Sequence, residues 1–243
     1  IEIADAIIKS KPDIICLQEF NHSYTRGGDA DNIGLFTKKY PHYYYSMDFS
    51  RLNGFYTSGS IIFSKYPIIN SGKQSFPGRY AESIIYADII KYSDTFRIYT
   101  AHLQSFAFNI YDYADMEKIK DNNKDAMAAS KNIFQKMKDA FIARGVQADI
   151  VKRELDSSPY RSVICGDFND VPNSYTYFHI RGERQDAFLA KGLGVGKSFI
   201  ALAPTLRIDY ILPDNNFLIQ QFDMIDENLS DHLMLIADIS LKK

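Results

Sequence analysis

The chain has 243 residues, 46% hydrophobic and 14% aromatic, enough to bury a sizeable core in one domain. Its 28 basic and 30 acidic side chains leave a net charge of −2, which offers no global attraction to nucleic acid. No apolar run is long enough to span a bilayer, so the stretch is expected to be soluble, and two cysteines exclude a disulfide framework.

In chain order, residues 3–9 read as a helix with Ile3, Ile7 and Ile8 on one side. Pro12 ends it and starts an extended run over residues 13–17. Short β-branched or aromatic runs bounded by turn residues follow at 60–64, 84–90, 96–101, 162–165, 208–212 and 233–239, and read as strands. They are apolar on both faces, which implies cover on both sides. Cys16 and Cys165 fall in such runs and read as buried free thiols. One long helical pattern spans 125–155, with Phe134, Met137, Phe141, Ala148, Val151 and Leu155 at helical spacing. Arg144 lies within that stripe and reads as an arginine snorkelling from its edge; the alternative is that Arg144 and Gln147 brace neighbouring strands. Residues 21–32 and 106–123 read as long loops. Strands, one long helix, then strands again indicate an α+β packing around sheets. No linker or repeat divides the chain, so residues 1–243 read as a single domain.

The polar residues gather at strand ends. Glu19 follows Ile14-Ile15-Cys16-Leu17, where a carboxylate reaches a cleft while its strand stays in the core. Asp167 and Asn169 follow the 162–165 run, and in an extended segment Phe168 between them points the other way, so the pair shares a face. His102 ends the 96–101 strand. His232 follows Asp231, and Asp209 would orient His232 through a hydrogen bond that fixes its tautomer. Hard oxygen donors suit Mg²⁺ or Mn²⁺ rather than a thiophilic metal. His22, His42 and His179 receive no role, and Arg79 reads as a solvated loop arginine, with substrate contact as the alternative. The segment Gly192-Leu193-Gly194-Val195-Gly196-Lys197-Ser198 imitates a phosphate loop, but the pattern requires glycine where Lys191 stands and a strand before it, so it reads as a flexible loop.

Taken in order, Leu17-Gln18-Glu19, Ile61-Ile62-Phe63-Ser64-Lys65-Tyr66-Pro67, Thr100-Ala101-His102-Leu103, Gly166-Asp167-Phe168-Asn169, Arg207-Ile208-Asp209-Tyr210 and Ser230-Asp231-His232 resemble the endonuclease/exonuclease/phosphatase superfamily over nearly the whole chain. The resemblance implies a DNase-I-like four-layer sandwich, two face-to-face mixed β-sheets flanked by helices. It implies metal ligation by Glu19 and Asp231, with Mg²⁺ or Mn²⁺ as cofactor. It also implies catalytic roles for His102, Asp167, Asn169, Asp209 and His232: the Asp209–His232 pair activates water, Asp167 and Asn169 orient the nucleophile and hold phosphate, and His102 contacts the phosphate or protonates the leaving group. A histidine at 102 resembles the DNase-I-like and sphingomyelinase-like branches rather than the abasic-site repair branch, which has tyrosine there. The expected activity is metal-dependent hydrolysis of a phosphoester, by choice a phosphodiester that is lipid-derived or a nucleotide. The alternatives are a DNA or RNA nuclease of the same superfamily, or a non-catalytic binding module. No protein partner is expected, and the chain is expected to be a monomer. Relatives in the family open with a strand bearing an asparagine, which is expected to be missing from the domain here. Some bacterial relatives carry membrane helices upstream, so a tether before Ile1 is an expectation of the same kind.

Overall fold

The computed structural model describes residues 1–24, 31–78, 82–106, 108, 111–112, 126–200 and 206–242. Helix α1 (Glu2–Lys9) leads through Pro12 into β1 (Ile14–Ser23). Then come α2 (Asn32–Thr37), β2 (His42–Tyr45), β3 (Phe49–Arg51), β4 (Tyr56–Ser64), β5 (Ile68–Ser75), β6 (Ser83–Lys91) and β7 (Asp94–His102). The long helix α3 (Ala126–Asp156) precedes β8 (Ser162–Asp167), α4 (Tyr175–Arg181), α5 (Ala187–Lys191), β9 (Asp209–Pro213), β10 (Phe217–Ile225) and β11 (Met234–Leu241). The runs expected as strands all form. The short elements α2, β2, β3, α4 and α5 carry too few periodic positions to stand out in the sequence, and the polar residues along β5 and β10 mask theirs. Asn21 to Ser23, expected in a loop, continue β1, and Asn32 opens α2. Arg79 and most of 106–123 lie outside the described residues. No helix among the described residues is long and apolar enough to cross a membrane.

The strands form two main sheets. In the first, β4 lies between β1 and β2, with β3 also paired to β4; in the second, the order is β5-β6-β7-β8-β9. The β7–β8 pair is parallel, and the other ladders are antiparallel. Alternation along each strand makes the layers. From β4, β6 and β7, Ile62, Ile85, Ala87, Ile89, Phe96 and Ile98 meet between the sheets, with Ile14 and Cys16 of β1 packed against them. Their neighbours face outward. Ile61 and Phe63 pack with Phe20, Ala4, Ile7, Ile33 and Phe36 under α1 and α2. Tyr99, Ala101 and Ile164 pack with Ala148, Val151, Leu155 and Tyr177 under α3 and α4. Helices, sheet, sheet, helices is the four-layer sandwich.

Strands β10 and β11 pair only with each other, and β1 pairs only with β4, among the described residues. Consecutive residues Ile14 to Asn21 and Met234 to Leu241 line one cleft of about 1150 Å³, together with Ile1, Ile3 and Ala4. When neighbouring residues of a strand all line one space, the strand presents its edge to it rather than a face. The cysteines are free and half-buried along this cleft, not deeply buried as expected.

Candidate active site

Sheet register builds the site. Across the second sheet His102 pairs with Asp167, and Asp167 with Asp209. Three neighbouring strands therefore place one polar residue each at the same level of the inner face. Close approach of β7 and β8 depends on Gly166: a Cβ there would sit 2.0 Å from the Ala101 carbonyl oxygen, and its φ is +147°.

On β1 the equivalent step is a bulge. The ladder with β4 shifts between Leu17 and Phe20, and Glu19 adopts φ 51°. Non-glycine residues rarely take that conformation, and bulges of this kind re-aim a side chain at a sheet rim. The extra residue returns Phe20 to the outer core with Leu17 and leaves the Glu19 side chain 78% exposed, its Oε1 3.7 Å from His102 Nε2.

Two histidines converge on one oxygen. His102 Nε2 lies 3.7 Å and His232 Nε2 3.9 Å from the same atom, Oδ2 of Asp167. Each has a carboxylate behind its other nitrogen. His232 Nδ1 is 2.9 Å from Asp209 Oδ2, and His102 Nδ1 is 3.0 Å from Glu82 Oε1. Glu82 carries no sequence signal beyond a carboxylate just ahead of a strand, and sequence reasoning missed it. Ser198 was also missed. Its hydroxyl accepts the N–H groups of Ile208 and Asp209, and its carbonyl accepts that of Leu233. The segment that imitates a phosphate loop thus ties β9 to the His232 turn. Its start is the end of α5, a five-residue helix rather than the strand a phosphate loop follows.

Asn169 departs from the extended geometry expected for it. Its φ is 51°, its N–H donates to Asp167 Oδ1, and its side-chain amide donates to the Leu103 carbonyl and to Asp167 Oδ2. Asparagine tolerates this turn, and the turn brings its amide back onto Asp167. Asp231 is exposed on the chain segment entering His232, with its carbonyl accepting the Ile200 N–H. Glu19, His102, Asp167, Asp209, Asp231 and His232 all line the site end of the cleft. Among the described residues, ligand atoms of Asp167, Asp209 and His232 lie within 4.8 Å of one another and could hold a metal ion. Glu19 and Asp231 are at the rim, outside that group.

The field at the site is strongly negative. Burial, reinforced by repulsion from Asp209, pushes the Asp167 carboxyl up to about 7. Burial alone would lower both histidines. Glu82, Asp167 and Glu19 overcome it at His102, and Asp209, Asp167 and Asp231 overcome it at His232, and both rise to about 9.

Arg144 is not at the edge of its helix stripe. It is fully buried, donating to Asp170 Oδ2 at 3.1 Å and to the Gln104 carbonyl at 2.8 Å, because the loops after β7 and β8 supply acceptors beneath α3. His22, His42 and His179 lie away from the site; His179 pairs with Asp149 on the surface, 3.0 Å away.

Comparison with known proteins agrees with this fold. Among curated proteins none matches the sequence. Solved structures share the fold: an endonuclease/exonuclease/phosphatase from Beutenbergia cavernae has a TM-score of 0.69 at 18% identity, over 99% of this chain and 65% of that one. The chain thus spans less than two thirds of that protein's length. The human Nocturnin catalytic domain with bound sulfate anion has a TM-score of 0.64 at 16% identity, over 99% and 85% of the two chains. A mannosyl-6-phosphatase of Bacteroides thetaiotaomicron has a TM-score of 0.64 at 13% identity, over 99% and 90%. The family model described as Endonuclease/Exonuclease/phosphatase family matches residues 1–232, and with the two carboxylate-backed histidines on a DNase-I-like sandwich, the chain belongs to that family of phosphoester hydrolases and nucleases.

Proposed function

We propose that this domain hydrolyses phosphodiesters with a divalent cation, Mg²⁺ or Mn²⁺, by in-line attack of water. The observation that carries the reading is the convergence of both histidine Nε2 atoms on Asp167 Oδ2, each histidine backed by its own carboxylate.

The donor set fits a hard cation. Glu19, Glu82, Asp167, Asp209 and Asp231 surround the site, and an anionic phosphate cannot approach them without compensating charge. The Asp167 carboxyl is raised mainly by burial, and repulsion from Asp209 adds to it. Glu19 and Asp231 at the rim, with Asp167, are the oxygen donors we assign to the metal. Once bound, a divalent cation supplies Lewis-acid stabilisation of phosphoryl charge.

The chain's own residues do the rest. Asp209 fixes the His232 tautomer so that Nε2 faces the cleft and takes the proton of the attacking water. Asp167 Oδ2, between the two histidines, orients that water. Glu82 keeps His102 protonated, and His102 Nε2 donates to a phosphate oxygen or to the departing oxygen. Asn169 holds the Asp167 carboxylate in place through its N–H and amide. The acidic balance gives nucleic acid no advantage over a lipid-derived or nucleotide diester. The reading treats residues 1–243 as one domain, and the facing edges of β1 and β11 suit one further strand between them.

The test is hydrolysis of bis(4-nitrophenyl) phosphate and of 4-nitrophenyl phosphate, each with Mg²⁺, with Mn²⁺ and with chelator. Cation-dependent cleavage favouring the diester is the expected result. Absence of cleavage with either cation would overturn the reading, and a preference for the monoester would convert it to a phosphatase.

A further inference from the structure

We propose that Arg144, together with Gln147, is a positioning residue for this reaction: from α3 the two clamp the loops that follow β7 and β8 and so set His102 against Asp167. The proposal rests on the phosphodiesterase reading above.

The clamp holds one residue by both its backbone groups. Gln104, two residues beyond His102, donates its N–H to Gln147 Oε1 at 2.8 Å and offers its carbonyl to Arg144 Nη1 at 2.8 Å. The same guanidinium reaches the other loop, with Nε 3.1 Å from Oδ2 of Asp170, three residues beyond Asp167. Between the two anchors the loops are stitched together. Leu103 N–H donates to the Asp167 carbonyl at 3.0 Å, and the Asn169 amide donates to the Leu103 carbonyl at 2.9 Å. Tyr210, next to Asp209, donates its hydroxyl to the Asp170 carbonyl at 2.8 Å. One side chain therefore reaches, directly or through a single hydrogen bond, the segments that carry His102, Asn169 and Asp209.

Packing alone does not account for an arginine here. The residue is 0% exposed, Phe106 and Phe141 lie with their ring centres 4.7 Å from its Cζ, and among the described residues its Nη2 has no hydrogen-bond partner; Gln147 Nε2 is likewise buried and without a partner among them. An orphaned buried donor costs about 1–3 kcal/mol. Apolar side chains of similar volume often fill such a space without that cost. What an apolar side chain cannot do is fix a carbonyl and a carboxylate from two loops in one planar fork. Displacements near 1 Å at a reacting centre cost on the order of 10²-fold in rate, so the fork's rigidity is worth the unpaired donor.

The experiment compares the parent with Arg144→Lys and with the paired change Arg144→Met, Asp170→Asn. Arg144→Met alone would strand Asp170 as an unpaired buried charge and endanger folding; the paired change removes both charges. For the folded paired variant we expect kcat on a phosphodiester with an alkyl leaving group, where His102 matters most, to fall about 10- to 100-fold with KM unchanged, since neither residue lines the cleft. Arg144→Lys keeps the charge but not the fork, and should retain most of the kcat defect. Independently of activity, amide exchange at Leu103 and Gln104 should quicken about tenfold while Ala148 and Val151 of α3 stay protected. A folded paired variant with parent kcat, or with a changed KM and unchanged kcat, would overturn the proposal. Should the parent show no cation-dependent hydrolysis, the phosphodiesterase reading falls by itself, and unchanged exchange at Leu103 would then overturn the clamp as well.

Discussion

The two histidine–carboxylate pairs look alike and are built differently. His102 and Glu82 are enclosed, with side chains 10% and 12% exposed, where β7 ends and β6 begins. His232 and Asp209 stand nearer solvent, at 31% and 13%, with the Phe199 ring centre 4.8 Å from the His232 ring. A buried imidazole with a carboxylate 3.0 Å behind it is shielded from bulk water, which suits a donor to oxygen. An accessible imidazole with a fixed tautomer can meet water, which suits a proton acceptor. Asp167 between them makes the pairs one site.

Removing His232 should have the largest effect. We expect His232→Ala to lower kcat/KM on the order of 10²- to 10⁴-fold, whatever the leaving group, because it strips the water of its base. A loss that tracked leaving-group pKa instead would exchange the roles of the two histidines.

His102→Ala should be milder and selective. With alkyl leaving groups the loss should approach 10²-fold, about the low end for a positioned acid, while nitrophenolate esters should be affected much less. Equal loss on both would show that His102 binds phosphate rather than protonating the departing oxygen.

Glu82→Gln should be smaller again at neutral pH and should show in the pH profile. A donor His102 acts while protonated, so activity falls as pH rises through its pKa, raised to about 9 in the metal-free protein. Without the Glu82 charge that alkaline limb should move to lower pH, and the acidic limb, set by proton loss from His232 once a bound cation offsets the carboxylates that raise it, should stay. Movement of both limbs together would mean that the pairs titrate as one unit.

The smallest expected effect is on stability. Both histidines are raised to about 9 in the folded chain from a model value of 6.5. Their stabilising contribution is therefore full below pH 6.5 and is lost as pH rises through 9. Thermal unfolding of the metal-free protein should show Tm declining across that window. His102→Ala should flatten the decline more than His232→Ala, because solvent screens the more exposed pair. Identical flattening by both would remove the distinction drawn from burial.

Several of these features were readable from residues alone. Strands such as 84–90 and 96–101 declare themselves because they are covered on both faces and so are apolar throughout. Glu19, His102, Asp167, Asp209 and His232 stand out because a polar residue at the end of such a strand has left the core for a reason. Elements such as β5 and β10 did not stand out, since an edge strand with one solvated side carries a weak pattern. Glu82, Ser198 and the burial of Arg144 were not readable either.

By itself, then, the order of apolar runs determined an α+β packing around sheets, and the ordered polar motifs carried the family resemblance from which the sandwich and the candidate site residues were expected. Local hydrophobic pattern governs which segments enter the core, and that information is contained in each segment. The tertiary structure alone decided that His102, Asp167 and Asp209 share one level of one face, because register belongs to pairs of strands and not to either strand. It alone decided that Glu82, 20 positions before His102 in the chain, stands behind that histidine, and that Arg144 lies beneath the loops rather than beside them. Strand pairing brings Glu82 and Asp167 to His102, and the packing of α3 on the loops brings Arg144 to Asp170, each to within 3 to 4 Å.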